Sequence, residues 1–172
     1  MTPLPILDEW FGALDADGLP SAAKSARWWT KSPEFDDYLR VHYGPFVKQA
    51  QAGGLREWDK SPEGTLARII LLDQFARNIF RNTQTMYAGD DFAVEATLAL
   101  LDDGLLKLPA VCQYFALMPL MHAEELALQE RSVAEFEALV KRTPEPTRKA
   151  VEPALQFAKD HRDVVLRFSR FP

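Results

Sequence analysis

Apolar residues recur every three to four positions along most of the chain, a spacing typical of amphipathic α-helices. Helices are predicted at 4–14 and 21–29. A third helix begins at the Ser-Pro-Glu of residues 32–34, because a serine cap and a first-turn proline mark a helix start. Gly44-Pro45 predicts a break or kink within this helix, which is expected to end at Gly53-Gly54.

The second half of the chain continues the same pattern. A second Ser-Pro-Glu start at 61–63 opens a helix that is interrupted near 82–84. Further helices are predicted at 92–101, from Pro119 to about Val140, and from Thr147 to Phe171, the last with a start shifted toward Glu152 by Pro153. Short connections favour antiparallel neighbours, so we predict one all-α domain over residues 1–172, a helical bundle or solenoid of antiparallel helix pairs.

Composition and charge restrict the function classes. A chain of 172 residues, 47% of them hydrophobic and 26% charged, is that of one ordinary globular domain. Its net charge of −5 argues against a general nucleic-acid binder, which carries a basic excess, although a local basic pocket stays compatible. No basic segment followed by a long apolar run opens the chain, and the weakly charged run at 108–121 is shorter than the ~20 residues of a membrane span. We expect a soluble, cytoplasmic protein that binds neither nucleic acid nor membrane.

The segment from Leu66 to Arg81 threads polar side chains through an otherwise apolar sequence. At about 100° per residue, Asp73, Arg77 and Arg81 form one stripe of a helix, with Gln74 and Asn78 beside it. Because the first half of the stripe is apolar, an ordinary solvated face does not explain it. We predict that these side chains point into a partly buried polar pocket.

A second polar group lies in the segment Met-Pro-Leu-Met-His-Ala-Glu-Glu at 118–125. On a continuous helix, His122 and Glu125 share the apolar face, whereas Glu124 points outward. A buried carboxylate needs a partner, and the arginines of the first segment are available. Two interpretations stay open: a structural network of buried polar residues, or a pocket in which arginines bind an anion while His122 exchanges a proton.

Other chemistry finds less support. His161 lies on an apolar face, where a histidine is more often a core residue than a base, and Cys112 lies in a segment typical of core packing. His122, Glu125 and His161 resemble a two-histidine, one-carboxylate iron site only weakly, because no second matched pair occurs and nearby arginines repel a cation. No phosphate-binding glycine loop or Gly-x-Ser-x-Gly elbow is present. We expect no metal and no cofactor.

Several motifs together resemble a known family. They are Glu-Trp-Phe-Gly at 9–12, Trp28-Trp29, Leu-Leu-Asp-Gln-Phe-Ala-Arg-Asn-Ile-Phe-Arg at 71–81, Met-Pro-Leu-Met-His-Ala-Glu at 118–124 and Arg-Phe-Ser-Arg-Phe-Pro at 167–172. Over nearly the whole chain this set is similar to the bacterial family catalogued as domain of unknown function 924, with Ala76 where the family usually has a proline. The family pattern usually continues past Pro172 with a basic segment.

This resemblance implies an all-α fold similar to the tetratricopeptide-repeat superfamily, with helix pairs around a concave surface. The family's polar motif residues correspond to Asp73, Gln74, Arg77, Asn78, Arg81, His122, Glu124 and Arg170. The helical wheel favours Glu125 over Glu124 as the inward residue, so both are kept as candidates.

The leading hypothesis is a binding domain whose arginine-lined pocket holds an anionic small molecule or an acidic peptide end. Its predicted binding residues are Asp73, Gln74, Arg77, Asn78, Arg81, Glu124, Glu125 and Arg170. The alternative is an enzyme on a carboxylate or phosphate substrate, with His122 as general acid or base and the arginines clamping charge. A third interpretation is a purely structural network, with function on an outer surface near Trp28-Trp29.

Overall fold

The structure, a computed structural model, describes residues 2–172. Its α-helices are α1 (Leu4–Trp10), α2 (Ala22–Trp29), α3 (Pro33–Gln51), α4 (Pro62–Ile69), α5 (Ala76–Ile79), α6 (Asp90–Asp102), α7 (Ala110–His122), α8 (Leu126–Arg142) and α9 (Thr147–Phe168). A π-helical segment, Ile70–Phe75, joins α4 to α5 into one continuous helix, and 3-10 turns lie at Arg56–Lys60, Gln84–Tyr87 and Leu105–Lys107. No strand occurs in residues 2–172, so the all-α prediction is confirmed, whereas the repeat-like solenoid stays a prediction.

Serine caps fix three of the helix starts. The hydroxyls of Ser21, Ser32 and Ser61 accept hydrogen bonds from backbone N–H groups three residues later, at 3.3, 3.2 and 3.1 Å. Each bond satisfies a donor that the first helical turn leaves free. The two Ser-Pro-Glu motifs therefore start helices, as the sequence predicts.

Two helical segments form the centre of the molecule. Residues 64–73 are all buried, and so are residues 111–121 of α7. Aromatic rings from three elements join them, with Trp10 set edge-on to Phe75 at 5.7 Å and to Phe115 at 5.5 Å between ring centroids. Full burial of each such side chain contributes roughly 1.5–3 kcal/mol. The two segments contact each other, and this contact brings their polar residues together in the interior.

Three prolines lie inside helices without ending them, which corrects the predicted break at Gly44-Pro45 and the predicted helix start at Pro119. The carbonyl that loses its donor to Pro45 belongs to Val41, a residue that is 75% exposed, so solvent is available to satisfy it. The third, Pro153, lies in the second turn of α9, which begins at Thr147.

Other helix ends also differ from the prediction. The chain leaves the helical path at Gly12, with φ of +65°, so α1 stops at Trp10 rather than Leu14. Ser169, with φ of +58°, ends α9 before Phe171. Cys112 is buried, and burial raises the pKa of its thiol to about 12. Among residues 2–172, no helix combines the length and the apolar character that crossing a bilayer requires.

Candidate functional site

A fully buried carboxylate, that of Asp73, lies at the centre of the candidate site. Its Oδ1 accepts a hydrogen bond of 2.7 Å from Nδ1 of His122 and lies 3.0 Å from the Arg77 guanidinium. Its Oδ2 accepts a bond of 2.5 Å from the side-chain amide of Gln74. Burial alone raises the pKa of Asp73, but His122 and Arg77 outweigh burial and the pKa falls to about 2. Asp73 is therefore an anion at neutral pH.

The π-helical segment 70–75 supplies Asp73. Its turns are wider than those of an α-helix, and such segments inside α-helices occur often at functional sites. Phe75, in the same segment, is fully buried in the aromatic core, so the segment is held firmly. Asp73 is thereby fixed beside the end of α7, where His122 lies.

Arg77 bridges two carboxylates. Its guanidinium donates to both oxygens of Asp90 at 3.0 and 2.9 Å and to the backbone carbonyl of Asp73 at 3.0 Å. Burial lowers the pKa of Arg77, but Asp73 and Asp90 outweigh it and the pKa rises. Burial raises the pKa of Asp90, and Arg77 only partly offsets this. The cation is thus held between two anions, with little of its charge left for a ligand.

The turn after His122 is fixed by Gln129. This buried amide donates to the carbonyls of Met121 and Ala123 at 2.7 and 2.6 Å. The backbone at Ala123 is extended, so α7 and α8 are separate helices and the long helix predicted across this region is wrong. Because Gln129 takes carbonyls that a continuous helix would bond to backbone N–H groups, it stabilises the break that positions His122.

A pocket of about 810 Å³ opens in front of His122. Its walls come from the 3-10 turn before α6, from α5 to α9, and from the C-terminal residues. The lining residues are Arg77, Met86, Tyr87, Asp90, Asp91, Val94, His122, Ala123, Glu124, Glu125, Leu128, His161, Phe171 and Pro172. Four carboxylates and one guanidinium thus face this space. The local charge is acidic rather than basic.

His161 also lines this pocket, although its sequence setting is typical of a core histidine. Its ring centroid lies 5.9 Å from that of His122, and its Nδ1 donates to the carbonyl of Phe157 at 2.7 Å. Phe171 covers one side of the ring at 5.4 Å and donates its backbone N–H to Glu124 at 2.8 Å. The sequence signal for this position was the shared face with apolar residues, which does not distinguish a core from a pocket wall.

The structure corrects the prediction that Arg81 and Arg77 face one pocket. Helix α5 ends at Ile79, so Arg81 lies beyond the helical stripe. Its guanidinium donates to both oxygens of Asp36 at 2.9 and 3.1 Å, and Asn78 donates to the same carboxylate at 2.8 Å. The pocket is therefore not lined by paired arginines.

The remaining predicted residues are distributed as follows. Gln74 is half-buried behind the pocket wall, where it bonds Asp73 and contacts the sulfur of Met118 at 3.5 Å. Glu124 and Glu125 are both exposed and both line the pocket. The wheel placed them on opposite faces of one continuous helix, but they lie in the turn after α7, where helical spacing does not apply. Arg170 is exposed and lies outside the lining.

Two carboxylates were missed by sequence reasoning, Asp36 and Asp90. Each accepts a two-pronged bond from a predicted arginine. The available signal was that a partly buried guanidinium requires an anionic partner. This requirement does not indicate which carboxylate in the sequence is the partner. In residues 2–172 no group of three or more His, Cys, Asp or Glu side chains is arranged to hold a metal ion.

The helices and this buried polar cluster define an all-α protein with a histidine-bearing pocket between its central helices and its C-terminal residues. The chain belongs to the family described as bacterial protein of unknown function (DUF924), whose model matches residues 6–172. It is similar to a solved structure of a protein of unknown function from Agrobacterium tumefaciens, with 29% identity and a TM-score of 0.81 over 99% of this chain and 85% of that one. No curated protein matches it.

Proposed function

We propose that this protein is an enzyme that transfers protons to and from a small molecule bound in the pocket, with Asp73 and His122 acting as a dyad. The single observation that carries the proposal is the 2.7 Å bond between Asp73 Oδ1 and His122 Nδ1 at the wall of an open pocket. A carboxylate can only accept, so Nδ1 carries the proton and Nε2 is the nitrogen left for a substrate.

The burial pattern supports a chemical role for the dyad. Asp73 is fully buried, whereas 16% of the His122 side chain is exposed. Nε2 has no hydrogen-bond partner among residues 2–172, although Nδ1 is held tightly. A histidine that served packing alone would gain from a partner on both nitrogens. One fixed nitrogen and one open nitrogen is the arrangement that general acid–base catalysis requires.

The lining favours a neutral or cationic substrate. Asp91, Glu124 and Glu125 add three carboxylates to the Arg77–Asp90 pair. An anion that enters meets these charges at close range, and the one nearby guanidinium is already neutralised by two aspartates. Phe171 adds an aromatic side chain, which suits an amine or a neutral ring, whereas the Arg77 guanidinium already lies over the Tyr87 ring at 5.7 Å from its centroid.

Binding of an anionic small molecule or an acidic peptide end, the function expected from the sequence, has one observation in its favour: Arg77 and two histidines line the pocket. It is therefore the second candidate. Titration with inorganic phosphate, acetate and a short acidic peptide tests it, with Arg77→Met as the variant. Measurable affinity that Arg77→Met abolishes in a folded protein would favour this candidate over the neutral or cationic substrate.

The access of reagent to Nε2 tests the dyad without knowledge of the substrate. Diethyl pyrocarbonate is a neutral reagent that acylates unprotonated imidazole, and peptide mass mapping reads each histidine separately. Across the pH range in which imidazole titrates, we expect acylation of His122 in the folded protein. Asp73→Asn should change its rate, because Nδ1–H loses the anionic acceptor that fixes the tautomer. Exposed His42 serves as the internal standard.

Turnover is then measured with a neutral ester, a cationic amino-acid anilide and an anionic phosphate ester, each carrying a nitrophenyl or nitroaniline reporter. We expect turnover of the neutral or the cationic probe that His122→Gln loses and His42→Gln keeps. If His122 resists the reagent throughout and no probe distinguishes the two variants, the dyad is structural and the proposal is wrong.

A further inference from the structure

We propose that His161 is the second proton-transfer residue of the pocket, so that one imidazole accepts a proton from the substrate while the other donates one. This inference rests on the proposed acid–base function and adds a residue and a reaction class to it. The class is bond cleavage or group transfer, in which an attacking atom must lose a proton and a leaving atom must gain one.

The geometry of the two rings carries the inference. Their centroids are 5.9 Å apart, both rings line the same pocket, and they come from different helices, α7 and α9. Each Nδ1 is held by an oxygen, from Asp73 for His122 and from the Phe157 carbonyl for His161. In each ring the nitrogen that the protein leaves without a partner, among residues 2–172, is Nε2. A substrate in this pocket therefore lies beside two imidazole rings, each with its Nδ1 already bonded.

The two oxygens that hold the rings differ in charge, and this difference divides the roles. Nδ1 of His122 is held by the Asp73 carboxylate at 2.7 Å, whereas Nδ1 of His161 is held by the neutral Phe157 carbonyl. Burial lowers the pKa of His161, the bond to the Phe157 carbonyl offsets part of this effect, and the nearby His122 lowers the pKa further. His161 is therefore the neutral ring whose Nε2 lone pair accepts a proton, and His122 is the proton donor.

Charged and titratable groups face this pair from every element around it. They are Arg77 from α5, Tyr87 from the 3-10 turn before α6, Asp90 and Asp91 from α6, Glu124 and Glu125 from the turn before α8, and Asp160 from α9 itself. The Arg77 guanidinium is paired with Asp73 and Asp90, so it does not offset the field of the three remaining carboxylates in the lining. The pocket in front of the two rings is therefore negative in net charge.

The step balances within the pair. A hydroxyl or water on the substrate side loses its proton to Nε2 of His161 as its oxygen forms the new bond. The bond to the leaving atom breaks, and that atom takes the proton from Nε2 of His122. After this step His161 is the charged ring and His122 the neutral one, and exchange with solvent water restores the starting state. No oxidant, reductant or metal enters the step.

The chain offers a matched control for His161. His42 donates its Nδ1 proton to the carbonyl of Tyr38, four residues earlier on α3, at 2.8 Å. This is the same local bond that His161 makes, but His42 is exposed and no second histidine faces it. Any property that arises only from the helical bond should therefore appear in both residues, and any property of the pair should appear only in His161.

Two-bond ¹H–¹⁵N correlation spectra of the full chain test the pair directly. We expect the tautomer with the proton on Nδ1 for neutral His161, and we expect the pKa of His161 to rise in His122→Gln, because the opposing ring charge is removed. The pKa of His42 should stay unchanged in the same variant. If the His161 pKa does not move, or neutral His161 carries its proton on Nε2, the paired role is wrong.

This failure differs from failure of the proposed function. If His161 takes no part in proton transfer, diethyl pyrocarbonate should still acylate His122, and His122→Gln should still lose turnover. In that case the Asp73–His122 dyad acts alone. With a turned-over probe, His161→Gln should lower kcat and remove the acidic limb of the pH profile, which reports protonation of the base. His42→Gln should retain both limbs. An unchanged profile in His161→Gln would also overturn the inference.

Discussion

Asp73 and His122 are 49 positions apart in the chain, and a hydrogen bond of 2.7 Å joins them. The carboxylate belongs to the buried π-helical segment and the imidazole to the last residue of α7. The bond therefore connects the interior of the protein to the pocket wall, and it makes the protonation of Asp73 relevant both to stability and to the proposed chemistry.

The stability of the protein should fall in acid through Asp73. Its pKa is about 2 in the folded state against an ordinary value of 3.8, so the contribution to stability is complete above the unfolded pKa and is lost as the pH falls through the folded pKa. The pKa difference corresponds to about 2 kcal/mol of unfolding free energy. Urea denaturation at pH values between neutral and the folded pKa measures this effect. The free energy of unfolding of Asp73→Asn should fall less steeply with decreasing pH than that of the wild type. The exposed Asp163→Asn is the control, and parallel curves for wild type and Asp73→Asn would contradict the prediction.

Replacement of Arg77 by methionine should cost stability in a pH-dependent manner. At neutral pH two buried or half-buried carboxylates, Asp73 and Asp90, lose their shared cation, which costs about 3–5 kcal/mol. Without Arg77 the pKa of Asp90, already raised by burial, rises further. Protonation of Asp90 then relieves the cost, so the difference from wild type should shrink in mild acid. Denaturant midpoints at neutral and mildly acidic pH measure this, and a constant difference would count against it.

Arg81→Met should affect stability without affecting the pocket. Asp36 is only 6% exposed, and in this variant its carboxylate would keep only the hydrogen bond from the Asn78 amide. We expect the free energy of unfolding to fall by about 1–3 kcal/mol. The acylation rate of His122 should equal that of the wild type, because Arg81 is not part of the lining. A folded Arg81→Met protein with a strongly altered His122 rate would show that the two clusters are coupled.

Gln129→Met should disturb the turn that positions His122. Two carbonyls, of Met121 and Ala123, lose their donor, and the expected cost in unfolding free energy is about 1–3 kcal/mol. The ¹H–¹⁵N signals of the His122 ring should shift as well. Gln156→Met on the exposed face of α9 removes a side-chain bond to Asp160 and should be nearly neutral. Equal effects of the two substitutions would refute a positioning role for Gln129.

Much of the fold was predictable from local signals. The serine caps at Ser32 and Ser61 act through bonds within four residues, so the sequence alone identifies them. Family motifs identified the chain as a member of DUF924, as the match over residues 6–172 shows. Prolines were less informative: Pro45 and Pro119 lie inside helices, because the cost of a missing N–H depends on what surrounds the free carbonyl.

The candidate site was harder to predict because it depends on where helices stop. A helical wheel assumes one uniform helix, but α5 ends before Arg81 and α7 ends before Glu124. Both ends are set by tertiary contacts, with Asp36 taking Arg81 and Gln129 taking the carbonyls after α7. His161 and His122 lie on two different helices, so no periodic spacing in the sequence relates them. Local sequence patterns therefore could not indicate that they line one pocket.

The wide turns at Ile70–Phe75 give the helix one residue more than regular α geometry would place there. Excision of a single residue from this segment would return the helix to ordinary spacing, while the flanking turns keep their orientation toward the core. Such a deletion would remove the wide turns that hold the buried Asp73 beside His122, while the helical segments on either side remain. Deletion of one residue would in that sense remove the proposed reactive arrangement and retain the packing of the helix.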